Sequence, residues 1–476
     1  MYKIKVKGGI ISPGELKNVI NKARLLDLDF IHFGSRQDIL FPLENGTNQK
    51  LAEHPSFSQV ESDFSTSQNI ASSYVATDIF SGTHWLRGST YLYILEDFNY
   101  SPTLKVSIVD PYQRLVPLFS GQLNFIASEI EDYWYLYLKL PSVPEGYYPV
   151  LLYTWDLAKV AKEIENIPET DYKTIDDLFK LLNAKLSTNN RTVSKDLKLI
   201  FNPFPYYEGM NKMAGGQYWL GLYWRNNQYD LEFLENLCDF CISYKIGKIS
   251  ITPWKSLIIK NIPSAAKLEL EALLGQSGIN IRHSSLELNW HLPVGNTGAL
   301  QLKQFLVTDF NSKDISTYGI TFSIVNNPSH SGYFTSIVIR EKSQALPNAT
   351  PLSLSYDVLY AHDFNPNSRQ YKTYAQDVDK EDLPSLLVEL TKLYFKQLNN
   401  IKVSVEQPSE KQEENQVLTN FYQCKECQTI YDPKLGDPHQ NIPLHTEFED
   451  LPEDFECSLC QAGKESFISA LIPVLN

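Results

Sequence analysis

Six cysteines carry the clearest chemical signal in this 476-residue chain, and four of them stand in two short pairs near the C-terminus. Two residues separate Cys424 from Cys427 and Cys457 from Cys460, with 29 residues between the pairs. A Cys-x-x-Cys turn aims both sulfurs at one point. Two such turns facing each other make a tetrahedral all-sulfur site that suits zinc or iron. The interval is longer than the roughly 15–20 residues of common paired-cysteine zinc sites, so spacing argues for a metal and leaves its identity open. The other two, Cys238 and Cys241, fall on the apolar face of a helical pattern. Free cysteine there behaves as a small hydrophobe; a redox-active Cys-x-x-Cys is the alternative.

The residues between the C-terminal pairs narrow the choice. Tyr431-Asp432-Pro433-Lys434-Leu435-Gly436-Asp437-Pro438 is followed by Phe448-Glu449-Asp450-Leu451-Pro452-Glu453-Asp454, in register with both cysteine pairs. Over residues 422–467 this combination resembles rubredoxin, the mononuclear iron family. The resemblance implies one iron, cycling between ferric and ferrous, held by Cys424, Cys427, Cys457 and Cys460, with zinc as the possible substitute. It also implies a small aromatic core of Tyr422, Tyr431, Phe448, Phe455 and Phe467 that keeps water from the metal. Four ligands fill the tetrahedron, so the module implied is an electron carrier without catalytic residues. Gln428 and Gln461 replace the family's usual glycine after each second cysteine, where the backbone turns left-handed and a side chain is costlier. Ser458, Phe455 and Leu444-His445 are further departures.

A charged stretch, 406–416, precedes this module and offers nothing to bury; it reads as part of a flexible linker over 405–419. Upstream, two segments look alike at an offset of 218 positions. The first places Leu16, Val19, Ile20 and Ala23 on one helical face, then a strand Phe30-Ile31-His32-Phe33 and a turn through Gly34-Ser35-Arg36-Gln37-Asp38. The second places Leu234, Leu237, Cys238 and Cys241 likewise, then Ile249-Ser250-Ile251 and Thr252-Pro253-Trp254-Lys255-Ser256. Spacings of three and four that give way to short strands mark a duplicated α+β unit. Strands are expected at 91–95, 104–109 and 133–140. Helices are expected after Asp156, at 175–186, near 265–274 and 300–310, and from an N-cap at Asp382.

The segments around Ser35-Arg36-Gln37-Asp38, Trp290-His291-Leu292 and 314–322 resemble the siroheme nitrite and sulfite reductases. That family ligates a four-iron cluster through four cysteines, which the chain lacks outside its C-terminal module. Arg36 matches a position that contacts siroheme or anion there, and Lys255 and Arg87 are candidates for the same cleft. His32, His84, His283, His291 and His330 show no metal spacing and receive no ligand role. The fold expected is α+β. A nitrite/sulfite reductase-like body spans 1–404, with ferredoxin-like repeats at about 1–45 and 216–295. The linker and a rubredoxin domain at 420–470 follow.

Composition sets the outer bounds. Lys and Arg number 42 against 56 Asp and Glu, a formal charge of −14, and no basic stripe interrupts it, which argues against nucleic acid. Residues 421–476 hold ten acids and three lysines, a net −7 suited to steering toward a basic patch on a redox partner. No run approaches the ~18 apolar residues of a membrane span, and the alternating N-terminus lacks a signal-peptide core. A cytoplasmic location follows, where cysteines serve metal or catalysis more often than disulfides. The function expected is electron transfer, with a cofactor-free body docking to a redox protein. A siroheme reductase or another assimilatory oxidoreductase is the partner class. The alternatives are a siroheme-type reductase fed by its own rubredoxin, and a zinc-stabilised scaffold.

Overall fold

Apolar residues three and four apart, at Leu16, Val19, Ile20 and Ala23, become the buried face of the helix Pro13–Leu25 in a computed structural model of the chain. Ser12 caps it, accepting from the Glu15 amide while the Glu15 carboxylate takes the Ser12 N–H. The structure describes residues 2–43, 69–201, 203–279, 287–326, 332–343, 354–405 and 419–472, apart from 428, 432, 434–435, 438–439, 441, 444 and 459. The chain divides into two compact units, Met1–Asn400 and Ile401–Asn476. Most of the stretch read as a linker, 406–418, lies outside the described residues, as do His283 and His330.

The repeat is reproduced residue for residue. The helix Leu231–Ser243 starts and ends 218 positions after Pro13–Leu25, and its cap Asp230 accepts from the Phe233 amide as Ser12 does from Glu15. The two helices pack on each other in one hydrophobic core. Lys17–Asp239 and Arg24–Glu235, each at 2.6 Å, tie their exposed edges. Backbone exceptions also recur. Gln37 and Lys255 have φ of +60° and +61°, Asp27 and Lys245 +56° and +59°, and Gly8 and Asn226 +63° and +62°.

Each copy lends a strand to the other. One sheet runs Tyr2–Ile4, Ile39–Phe41, Phe30–Phe33 and then Tyr229–Asp230 from the second copy. The other runs Gly209–Lys212, Tyr218–Tyr223, Ser256–Ile262, Ile249–Ile251 and then Ile10–Ile11 from the first. All these pairings are antiparallel. Separating the copies would strip an outer strand from both sheets, so neither is an independent domain.

The duplication reaches further than the sequence pattern. After the first copy, Asn69–Ser72, Lys105–Val109 and Leu123–Ala127 pair in parallel, and Tyr133–Leu138 and Val150–Tyr153 continue antiparallel. After the second, Trp290–His291, Phe322–Val325 and Ile337–Ser343 are parallel, followed antiparallel by Leu354–Ala361 and Tyr371–Val378. A helix crosses between the first two strands each time, Gly88–Asp97 and Thr297–Ser312. This corrects one expectation: residues 91–95 are helix, not strand. Their aromatic and β-branched composition favours a strand locally. The two flanking strands are parallel, however, and parallel neighbours need a crossover, usually a helix. Tyr91, Ile94 and Leu95 supply its buried face. The other expected elements form within a few residues of their anticipated bounds, at Lys105–Val109, Tyr133–Leu138, Leu157–Asn166, Ile175–Lys185, Lys267–Gln276, Thr297–Ser312 and Leu383–Val405.

The first mixed sheet is buried on both faces, which the period-two alternation along its strands makes plain. Trp134, Leu136 and Leu138 enter one core, while Tyr135 and Tyr137 enter another with Phe119, Phe204, Tyr207, Trp219, Tyr223 and Trp254. Cys238 and Cys241 are wholly buried in the helix-pair core, and burial pushes both thiols up to about 12. Thiolate is the reactive form. A thiol-modifying disulfide reagent at pH 8 should therefore leave both unmodified in the folded protein, and they should react only after denaturant unfolds the body. Mass spectrometry of labelled peptides reads the result. Rapid labelling of either cysteine in folded protein would contradict their placement in the core.

Candidate metal centre

In the C-terminal unit the strand Thr419–Cys424 lies between Ile430–Tyr431 and Phe467–Ile472, all antiparallel. Cys424 ends the central strand, and the chain then turns back over Cys427. The Cys424 amide donates to the Thr429 carbonyl at 2.8 Å, and 33 residues later the Cys457 amide donates to the Ala462 carbonyl at 2.7 Å. The two knuckles are thus one structure used twice.

They face each other. Cys424 Sγ lies 3.6 Å from Cys460 Sγ, Cys427 Sγ lies 3.5 Å from Cys457 Sγ, and all four sulfurs fall within 4.8 Å of one another. A tetrahedron with metal–sulfur bonds of about 2.3 Å has edges of roughly 3.8 Å, so the four could hold one metal ion with little movement. Cys424 and Cys457 are buried, Cys427 is half-buried and Cys460 is exposed. The cluster is closed on one side and reaches the surface at one sulfur.

Hydrogen bonds bias these thiols. Thr429 contacts Cys427 Sγ through its hydroxyl at 3.1 Å and also through its backbone, which together bring the Cys427 thiol down to about 6. The matching Ala462 backbone bond acts the same way on Cys460, but crowding by Cys427, Cys424 and Cys457 leaves that thiol raised to about 12. Neither Thr429 nor Ala462 was singled out from sequence. Their common position, two residues after each second cysteine, is the signal that could have found them.

Around the sulfurs stands the expected aromatic core. Tyr422 stacks on Phe448 at 3.9 Å between centroids, and Phe455 lies 5.6 Å from both Tyr431 and Phe467. Lys464 donates to the Leu451 and Glu449 carbonyls at 2.6 and 3.2 Å and fastens the segment Phe448–Asp450 over this core. Gly436 has φ +60° and lies so close to the Ile442 and Pro443 carbonyls that a Cβ there would collide with them. Gln461 also has φ +60°, the left-handed turn anticipated after the second cysteine, while Gln428 lies outside the described residues.

The rubredoxin family model matches residues 421–467. Rubredoxin-2 of Desulfovibrio desulfuricans is 51% identical over 50 residues, which cover 10% of this chain and 81% of that protein. Through this module the chain belongs to the rubredoxin family. Probable Rubredoxin-1 of Methanocaldococcus jannaschii is 54% identical over 48 residues, 10% of this chain and 60% of that protein. The high molecular weight rubredoxin of Moorella thermoacetica is 52% identical over 46 residues, 10% of this chain and 20% of that protein. The match therefore spans less than two thirds of these last two proteins. The rubredoxin fold and its four clustered cysteines are consistent with one iron in a four-cysteine site. The body has a different relative. The structure of the Mycobacterium tuberculosis NirA protein superposes with a TM-score of 0.65 at 15% identity, covering 83% of this chain and 80% of that one. The expected α+β body thus has a NirA-like fold over most of the chain.

The body's side chains do not fit the group that fold implies. A siroheme bridged to a four-iron cluster needs four thiolates, and the body has Cys238 and Cys241 alone, both inside the helix-pair core. Arg36 is buried, and its guanidinium donates to the Ser107 and Ser120 hydroxyls, each at 2.8 Å, and to the Val106 carbonyl at 2.5 Å. A groove of about 440 Å3 lined by Lys105, Lys139 and Glu145 contains neither cysteine nor histidine. Of the other residues considered, His32 and Lys255 line one cavity of the body, with His291 close to Lys255, while Arg87 and His84 lie apart from it. Arg87 and His84 are exposed, His32 Nδ1 lies 2.6 Å from the Asn227 carbonyl, His291 packs against Phe334, and Lys255 reaches the Leu292 carbonyl.

Replacing Gln461 by glycine removes a side chain from a left-handed position, a cost of about 1 kcal/mol. Gln461→Gly should stabilise the module by that order and slow metal loss to a chelator. Unchanged or faster metal release would show that the turn carries no strain.

Proposed function

We propose that Cys424, Cys427, Cys457 and Cys460 hold a single iron and that the chain carries one electron at a time between protein partners. The facing of two knuckles, with all four sulfurs within 4.8 Å, supports this reading above all else. Iron bound there supplies one-electron ferric/ferrous exchange, and with four protein ligands no position is left for a substrate. The chain's own groups do the rest. The Thr429 and Ala462 hydrogen bonds to Cys427 and Cys460 offset negative charge on sulfur and favour the reduced, more negative state. The aromatic core excludes water, and exposed Cys460 is the edge through which an electron enters and leaves. The acidic module steers that edge toward a basic surface.

The reductase-like body is read here as a docking element, not a catalyst. Its partner would be a redox protein, with a siroheme reductase or another assimilatory oxidoreductase of nitrite or sulfite metabolism as the class. Six cysteines without a disulfide pattern support a cytoplasmic setting. Among the described residues no helix is long and apolar enough to cross a membrane.

Metal analysis and an absorption spectrum of natively expressed protein test the reading. One iron per chain is expected, with thiolate-to-ferric bands that bleach on adding one electron. Zinc without iron would establish a structural metal instead, and intense porphyrin-type bands would restore a reductase. Thr429→Val removes one hydroxyl donor to Cys427, worth about 1 kcal/mol, and should lower the reduction potential by roughly 40 mV. Protein-film voltammetry measures the shift. No shift, or an upward one, would remove Thr429 from the tuning of the centre.

A further inference from the structure

A cavity of about 130 Å3 lies inside the body, between the strand Phe30–Phe33, the turn through Thr252 and Ser256, and the start of the helix Thr297–Ser312. Trp254, Trp290, Leu292, Val294 and Leu300 give its wall hydrocarbon and aromatic surface. Two lysines share that wall, and both are buried: Lys255 is 7% exposed and Lys303 2%.

Among the described residues, only one of the two has a counter-charge. Lys303 Nζ sits 3.0 Å from Glu287 Oε2 and 3.0 Å from the Tyr223 hydroxyl. Glu287 is shared with Arg225 at 3.2 Å. Lys255 donates to the Leu292 carbonyl, and among the described residues no carboxylate pairs with it. Burial, and secondarily the like charge of Lys303, push its ammonium down to about 7. A buried lysine with one neutral acceptor has two donor positions and one charge left unanswered.

The repeat supplies an internal control. Gln37 occupies the equivalent position in the first copy, in the same turn and with the same left-handed backbone. Its amide is fully engaged, donating to the Ser72 and Ile251 carbonyls at 3.1 and 2.9 Å and accepting from the Ser72 amide at 2.7 Å. The fold is therefore satisfied by a neutral, fully paired side chain here. In the second copy it carries a cation facing a cavity.

We propose that this cavity binds a small aliphatic carboxylate, its carboxyl group on Lys255 and its hydrocarbon part among Trp254, Trp290 and Leu300. The volume is close to that of the ~150 Å3 apolar cavity that accepts benzene, which sets the ligand at about six heavy atoms. One uncompensated positive charge matches a monoanion. An inorganic oxyanion would leave the apolar wall without a partner. The other titratable groups around Lys255 are Lys303, Glu287, Arg225, Tyr223, His32 and His291. The first three form the shared ion pair, and burial pushes His32 and His291 below the ordinary histidine value, so both stay neutral at pH 8. At that pH an arriving carboxylate charges Lys255, and binding takes up a proton from solution.

Calorimetric titration of the full chain with butyrate at pH 8, in two buffers of different ionisation enthalpy, tests this. Saturable binding at one site per chain is expected, with uptake of close to one proton and no binding of butyramide. Lys255→Gln installs the first copy's residue on a backbone known to accept it. It should weaken binding about 30-fold, the loss of one charged hydrogen bond, and abolish the proton uptake. Leu300→Trp, which fills the cavity, should block butyrate while leaving Lys255 in place. Absence of saturable binding to folded wild-type protein would overturn the proposal. So would unchanged affinity in Lys255→Gln, or chloride and sulfate binding as tightly as butyrate.

Discussion

Four sulfurs held within 4.8 Å of one another cannot all be ionised unless a cation sits among them. That repulsion is the constraint around which the C-terminal unit is built. The backbone bonds closing each knuckle fix the sulfurs in advance, so bringing them together costs little when the metal arrives. Thr429 and Ala462 then take up part of the negative charge. The Phe448 and Phe455 rings keep water from the buried side, and Lys464 holds their segment in place through two carbonyls. A module this small has a small hydrophobic core to draw on, and the metal completes its stability.

The body faces the opposite situation. It has only Cys238 and Cys241 as thiols, both inside the helix-pair core, and Arg36 is tied to Ser107, Ser120 and Val106. Eight aromatic side chains share the core that lies against the second face of the first mixed sheet. Reciprocal exchange of Ile10–Ile11 and Tyr229–Asp230 locks the two halves together. Fold likeness therefore carries architecture to this chain and carries no reaction with it.

Legibility in the sequence followed the density of constraint. The four cysteines and the segments between them were readable because metal geometry and tight turns admit few residue types at fixed spacings. The helix faces of the repeat were readable because burial imposes a period. Residues 91–95 misled, since a Tyr-Leu-Tyr-Ile-Leu run has local strand preference and its helical state is imposed by the parallel strands on either side. The larger duplication was not readable at all. A sheet face tolerates any apolar residue of suitable volume, so Trp290–His291 and Asn69–Ser72 can occupy equivalent places without sharing a residue. The recurring left-handed positions, such as Gln37 with Lys255, needed coordinates because neither residue type advertises that backbone.

Two copies of one turn must satisfy the same backbone, but only one must satisfy each surrounding. Gln37 is locked by Ser72 and Ile251 and has no freedom to change without loss of three hydrogen bonds. Lys255 has a single carbonyl acceptor among the described residues and open space beside it. A buried cation of this kind destabilises the empty protein, because desolvating an ammonium costs several kcal/mol unless a partner answers it. Apolar residues of similar length would pack at that position at lower cost. The presence of lysine there is understandable if the cation answers something other than the fold, and the apolar wall opposite it limits what that can be.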